Sequence, residues 1–314
     1  MPTTILPTRN GAKAAYTFTF DDGGDGQYKY AVPILSSLGL TGTFFLIGAS
    51  VRSWYQGPQK FHVPQMLKAL SAGHEIGNHT YNHADVDTDD QDQIRAQIGQ
   101  CQDFLAGWGV KSRSIAYPHG AFSETTLDVA QEYVSFGRTV GPYMLNSFEW
   151  DDKIPLAVRV ASGASDDTAA IQAAIDAGKW YISVFHLINA SGFTPQRFSA
   201  LAEWVAAKKD ANELWVDTFG GIMQYLKQRH DATVVETTLS ANQIRVALTM
   251  SLPNDFVVPL TLKTDVSGRP EIASIVQSGM SLDFRMEGGG VIYDVIPNGG
   301  SVDIVFVADS GTGQ

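Results

Sequence analysis

The 314-residue sequence holds a single cysteine, Cys101, which excludes an internal disulfide. No apolar run approaches the roughly 18 residues needed to cross a bilayer, so no membrane span is expected. The N-terminal stretch MPTTILPTRNGAK lacks the charged-then-apolar order of a signal peptide. The chain is therefore expected either to be cytosolic or to have lost a leader. Basic residues are scarce too, with 22 Lys and Arg against 33 Asp and Glu and a formal net charge of −11. Without a cation cluster to neutralise phosphates, nucleic acid and anionic membrane surfaces are excluded as main partners, and a neutral substrate fits better. There is no internal repeat and no low-complexity tract, and nothing in the sequence sets an oligomeric state.

A hydrophobic content of 44% is enough for a sizeable core. Up to about residue 230, short apolar runs alternate with amphipathic stretches. Strands are expected at AYTFTF, GTFFLIG, HEIG, RSIAY, SFGRTV, LAVRV and WYISVFHL, with helical patterns such as VPQMLKALSAG and DDTAAIQAAIDAG between several of them. That βαβ rhythm predicts an α/β domain, barrel-like or doubly wound, over residues 1–232. Cys101 shares a helical face with Ile94, Ile98 and Leu105 and reads as core. Residues 233–314 change character to strand alternation with Pro-Asn, Ser-Gly and Asn-Gly-Gly turns, which predicts a small β-sandwich. All six Trp precede residue 216. A sandwich without Trp has few rings on which a sugar can stack, so a structural role is favoured over glycan binding. Trp54 and Trp150, expected to be exposed, are better candidates for sugar contact.

Four stretches could do chemistry. AYTFTFDDGGDG, residues 15–26, is a strand pattern that ends in adjacent Asp21 and Asp22 followed by glycines. Neighbouring carboxylates repel, so the pair calls for a cation or a proton between them. GHEIGNHTYNHADV carries His74, His79 and His83, and the spacing of the last two can turn both imidazoles toward one ion. It is not a zincin, because Thr80 rather than Glu follows His79. Nor is DVDTDDQD an EF-hand, with Asp90 where glycine belongs and Ala96 where Glu belongs. These aspartates are expected to open a helix, with Thr88 and Gln91 as a capping box. SIAYPHGAFS runs a strand into a turn that could present the His119 amide to an oxyanion, or could be a plain turn. WYISVFHLIN ends a strand at His186, which reads equally as catalytic or as a buried structural histidine.

Taken in this order, TFDDG (19–23), HTYNH (79–83), YPHG (117–120) and VFH (184–186) resemble the polysaccharide deacetylase family, the NodB-homology domain of carbohydrate esterase family 4. The resemblance implies a distorted (β/α) barrel of about seven strands, here followed by the C-terminal β-sandwich, with the site where barrel strands end. It implies that Asp22, His79 and His83 bind one divalent metal ion, zinc first, with cobalt, nickel or manganese as the other candidates. It further implies Asp21 as general base, His186 as general acid and the His119 amide as oxyanion donor. The substrate implied is an acetylated glycan, N- or O-linked, and the setting extracellular or periplasmic.

The sequence departs from the family pattern in its third motif. The best-known form, RPPYG, has an Arg that contacts the base, whereas here Ala116 stands at that position and His119 replaces Tyr. Arg138 in FGRTV is a replacement on position alone, although a surface Arg is the favoured reading. The family's Asp-Trp pair has no clear counterpart, since FEWDDK reverses the order. Two other functions stay open: hydrolysis of another C–N bond, as in a small cyclic amide or imide, and an idle barrel that only binds carbohydrate.

Overall fold

The computed structural model describes residues 3–51, 60–150, 157–163, 168–253 and 256–308. Trp54, and residues 151–153 of FEWDDK, lie outside them. Contacts divide the chain into two compact units, Lys13–Met223 and a second formed by Met1–Ala12 with Gln224–Gln314.

The first short strand, β1 (Thr4–Ile5), belongs to the second unit. The larger unit is built on β2 (Ala14–Phe20), β3 (Gly42–Leu46), β4 (Glu75–Asn78), β5 (Ser114–Ala116), β6 (Phe136–Gly141), β7 (Ala157–Gly163), β8 (Trp180–Phe185) and β9 (Leu214–Val216). These strands are parallel and follow the order β3-β4-β5-β6-β7-β8-β2-β9, and β2 also pairs with β3. The upper half of β2 (Phe18–Phe20) therefore closes the sheet against β3, while its lower half (Ala14–Tyr16) takes β9. All seven expected strands are present in this distorted barrel. The short β9 was not anticipated. Between the strands lie α1 (Val32–Ser37), α2 (Val63–Ser71), α3 (Gln91–Gly107), α4 (Glu124–Ala130), α5 (Thr168–Ala177) and α6 (Pro195–Asp210), and α7 (Phe219–Asp231) follows β9.

Every residue of β2 is buried, because each face of the strand meets a packed layer. Tyr16, Phe18 and Phe20 join the helix-side core with Phe44, Phe185 and Phe198. Thr17 and Thr19 point the other way, into the barrel, and Asp21 continues that face at the top. At the opposite end of the barrel, Phe219 packs on Phe45 and Trp180 with ring centroids 6.1 and 5.7 Å apart. Partly buried Glu75 accepts there from Thr43 Oγ1 (2.9 Å), Ser114 Oγ (2.6 Å) and the Gly220 amide (2.7 Å). Its donors are all satisfied locally, so Glu75 serves the architecture.

Two further expectations are settled here. Cys101 is buried, with its thiol pushed up to about 12 by desolvation, which suits a core residue. The start of α3 differs from the predicted capping box. Asp90 is the N-cap, accepting from the amides of Asp92 and Gln93 at 3.1 Å, while Thr88 Oγ1 accepts from the Asp90 amide. The carboxylate lies nearer the free amides, so it takes the cap two residues later than expected.

His74 is 2% exposed and bonded to Ser36 Oγ (3.0 Å) and the Gly42 amide (3.2 Å). Burial pulls its pKa from 6.5 down to about 4. The unfolded chain then takes up a proton first as pH falls, so stability is complete above about pH 6.5 and declines from there toward pH 4. Denaturant unfolding of the wild type should lose roughly 2–3 kcal/mol through this group between pH 7 and pH 4.5. A His74→Gln variant should lack that component, and an equal loss in both proteins would exclude His74 as its source.

The second unit contains two antiparallel sheets and, among its described residues, no α-helix beyond the end of α7. Strands β10 (Thr233–Ser240), β11 (Gln243–Thr249), β12 (Leu260–Asp265), β13 (Ile272–Gln277), β14 (Met280–Ser281), β15 (Phe284–Glu287), β16 (Gly290–Val295) and β17 (Val302–Phe306) form them with β1. One sheet has the order β1-β12-β16-β15 and the other β10-β11-β17-β13-β14. Alternate residues of β11 and β17 (Ile244, Val246, Leu248; Val302, Ile304, Phe306) are buried, the pattern of strands with one face in a core.

Candidate metal centre and catalytic cleft

Asp21 is fixed by extension of the β2–β8 ladder, its amide donating to the Phe185 carbonyl at 3.0 Å. The chain then turns sharply through Asp22 (φ 71°) and Gly23 (φ 65°), so the two carboxylates leave the strand in different directions. Gly26 allows the loop to press against the segment after β8, since a Cβ there would lie 2.1 Å from the Ile188 carbonyl oxygen. Buried Gln27 ties the two segments together, donating to the Asp21 and His186 carbonyls. Lys60 Nζ donates to the Asp22 carbonyl at 2.9 Å.

His79 leaves the end of β4 with its amide on the Leu46 carbonyl (3.1 Å). Its Nδ1 donates to the Ala116 carbonyl at 2.8 Å, which fixes the tautomer and leaves the Nε2 lone pair free for a ligand. The loop on to His83 is pinned at both sides: Asn78 Oδ1 accepts from the Thr80 amide (2.8 Å), and the Tyr81 amide donates to the Gln97 carbonyl of α3 (2.8 Å). Asp22 Oδ1 lies 3.6 Å from His79 Nε2 and 3.5 Å from His83 Nε2. The three ligand atoms all fall within 4.8 Å of one another. Ligands about 2.1 Å from a tetrahedral ion are about 3.4 Å apart, so the donor set fits a divalent metal in chemistry and in span. The neighbouring His79 holds the Asp22 carboxyl well below the usual range, and burial lowers the His83 imidazole. Both groups are thereby kept in the forms that ligate.

Arg138 is not on the surface. It is fully buried, its Nη2 donates to Asp21 Oδ1, and its guanidinium lies 4.9 Å from the Phe45 ring centroid. In the parallel register of β5 and β6, Arg138 stands directly beside Ala116, the position where the sequence motif lacks its Arg. A small residue on β5 and a long cation next to it on β6 thus supply the charge from the adjacent strand. Asp21 Oδ2 remains turned toward the site, 4.0 Å from His79 Nε2.

His119 occupies a tight turn at φ 55°, closed by Gly120 donating to Tyr117 and Ala121 donating to Pro118. Gly120 (φ 74°) is required there, because a Cβ would come within 2.8 Å of the Val140 nitrogen. The imidazole is exposed, with Nδ1 2.7 Å from Asp85 Oδ1 and its ring edge-on to His83 at 4.9 Å. Asp85 was not singled out in the sequence, although it lies only two residues beyond His83. His186 is exposed rather than buried, and it lines a recess of about 520 Å³ together with Asp22, Lys60 and Tyr30. Trp150 is partly buried against Phe136, with centroids 6.2 Å apart, and so is less open than expected.

Among the described residues eight non-glycine residues have positive φ, and four of them, Asp22, Thr80, His83 and His119, belong to this site. The conformation is costly for β-branched Thr80 and persists only where surrounding bonds enforce it. Here the bonds to Asn78, to the Gly48 amide and to α3 do so.

Comparison with known proteins bears on the same residues. The sequence model of the polysaccharide deacetylase family matches residues 8–134. A gellan lyase of a Bacillus species is 26% identical over 326 aligned residues, covering 93% of this chain and 13% of that protein. A peptidoglycan-N-acetylglucosamine deacetylase of Bacillus cereus is 35% identical over 127 residues, 38% of this chain and 42% of that protein. The chain thus spans less than half the length of either relative. A solved Mycobacterium smegmatis structure, assigned to the polysaccharide deacetylases, superposes with a TM-score of 0.51 at 18% identity, covering 73% of this chain and 96% of that one. At that identity the likeness speaks for the fold alone.

Proposed function

Since the chain belongs, through residues 8–134, to the polysaccharide deacetylase family, we propose that it is a metal-dependent hydrolase that removes acetyl groups from N- or O-acetylated glycans. The observation that carries this reading is the convergence of Asp22, His79 and His83 on one point, beside a recess that also holds His186. Two imidazoles and a carboxylate suit zinc first, with cobalt, nickel or manganese next. Held by Asp22, His79 and His83, such an ion would supply a lowered pKa for a water molecule and polarisation of the acetyl carbonyl. Asp21, its Oδ1 held by Arg138, takes the proton of the attacking water on Oδ2. The His119 amide donates to the oxygen that gains charge. His186 protonates the departing amine or alkoxide.

Asp21 has Arg138 as its cation, whereas Asp22 turns its carboxylate to two imidazoles, an arrangement that suits a bound divalent ion and weighs against an idle binding barrel. Residues 233–314 act in this reading as an accessory module, and the setting is extracellular or periplasmic. The printed name of the Bacillus cereus relative makes peptidoglycan the first substrate to test. Acetate release should be measured on peptidoglycan, chitooligosaccharides, poly-N-acetylglucosamine and acetylxylan, with small cyclic imides alongside and with and without chelator. Chelator-sensitive acetate release from at least one glycan is expected. Turnover of imides alone, or release indifferent to chelation, would overturn the proposal.

A further inference from the structure

The recess holding Asp22 and His186 adjoins a second one, of about 620 Å³, and the two share Asp25 and Lys29. Together they lead from the metal-site residues past Tyr30 and Tyr28 to Lys68 in the last turn of α2. Three ammonium groups line this path, Lys29, Lys60 and Lys68, and among the described lining residues the carboxylates are Asp22 and Asp25. None of the three lysines is in an ion pair among the described residues; Lys60 Nζ donates to the Asp22 carbonyl, and Lys29 Nζ lies 5.0 Å from the Tyr30 ring centroid. Elsewhere among the described residues Lys13, Lys208, Lys227 and Lys263 are each paired with a carboxylate, while Lys111, Lys179 and Lys209 are not, so what sets the three groove lysines apart is that they line one path. The macrodipole of α2 favours a cation at Lys68, but it offers no reason for Lys60, which precedes the helix. In a chain with 33 acidic residues against 22 basic ones, a groove lined by three ammonium groups and two carboxylates is locally enriched in positive charge.

We propose that this extension binds anionic groups, carboxylate or phosphate, on sugar units next to the acetylated one, so that the substrate is an acidic glycan. That the ligand is a glycan rests on the deacetylase reading above. Lysine ammoniums are point charges without the bidentate geometry of arginine, so the groove reads charge rather than the shape of the anion. Tyr30, partly buried, holds the Lys29 ammonium 5.0 Å from its ring centroid, and Tyr28 packs edge-on against Phe61, so the two rings position the charged wall of the groove. The neutral substrate suggested by the net charge is thereby replaced by a locally selected acidic one.

The test is binding, read by calorimetric titration of the full chain with three probes of equal length: oligouronates, phosphorylated oligosaccharides and uncharged chitooligosaccharides. At least one acidic probe should bind more tightly than the uncharged one, and the choice between the two identifies the anion. The preference should vanish when salt is raised from about 0.01 M to about 1 M, which shortens the screening length from about 30 Å to about 3 Å. A Lys29→Glu, Lys68→Glu double variant should weaken the preferred acidic probe about tenfold and the uncharged probe less than about twofold. Circular dichroism and metal content matching the wild type establish that the variant is folded. Equal binding of charged and uncharged probes, or an equal loss of both in the variant, would overturn the inference. Selective acidic binding by a protein that releases acetate from no glycan would instead refute the deacetylase reading and leave the anion-binding groove standing.

Discussion

Replacing Arg138 with Ala should cost about 3–5 kcal/mol of stability and lower turnover by about 10²-fold, even though Arg138 touches no substrate in this account. The physical reason is the buried pair with Asp21, whose carboxylate is itself 3% exposed. Without the guanidinium, Asp21 keeps a buried charge with its main partner gone, and Oδ2 loses the orientation it needs toward the attacking water. Chemical denaturation measures the first effect and acetate release the second. Because β5 and β6 set Ala116 and Arg138 side by side, moving the cation back one strand offers a sharper check. An Ala116→Arg, Arg138→Ala double variant should recover part of the activity lost in the single one. A fully active Arg138→Ala variant would show that the pair is idle.

Asp21→Asn and His186→Ala should each reduce turnover by about 10²-fold to 10⁴-fold, the range for loss of a general base or acid. The two losses should differ with the leaving group. An amine must be protonated as it departs, whereas a phenolate leaves readily without a proton, so His186→Ala should be more damaging on N-acetyl glycans than on an activated acetyl ester. Asp21→Asn should be equally damaging on both, because the attack by water is common to them. Kinetics of the two variants on one amide and one ester substrate measure this. Similar behaviour of His186→Ala on both substrates would remove His186 from the role of acid.

Much of this arrangement was legible before the fold was seen, and the residues explain which part. Asp21, Asp22, His79, His83, His119 and His186 stand at the ends of apolar strand patterns, and strand ends of a parallel barrel converge on one face. Their order along the chain therefore carried both the fold class and the site. The sequence alone does not place Arg138, because its position depends on inter-strand register: it neighbours Ala116 in space while lying 22 residues away along the chain. The left-handed backbone at Asp22, Thr80, His83 and His119 left no trace either: Asp and His enter that region more readily than most non-glycine residues but do not require it, and β-branched Thr80 is held there by its surrounding hydrogen bonds. β1 and β9 were too short, at two and three residues, to form a periodic pattern. The Asp85–His119 contact joins two loops and has no signature in either one alone.

The central claim is the division of labour between two adjacent aspartates, one holding the ion and one serving as base. Elemental analysis of metal bound per chain in the Asp22→Asn and Asp21→Asn variants, purified alongside the wild type, tests it most directly. The account predicts one divalent ion in the wild type and in Asp21→Asn, and little or none in Asp22→Asn. An Asp21→Asn variant that is empty while Asp22→Asn stays loaded, or a wild type that retains no ion under any loading condition, would contradict it.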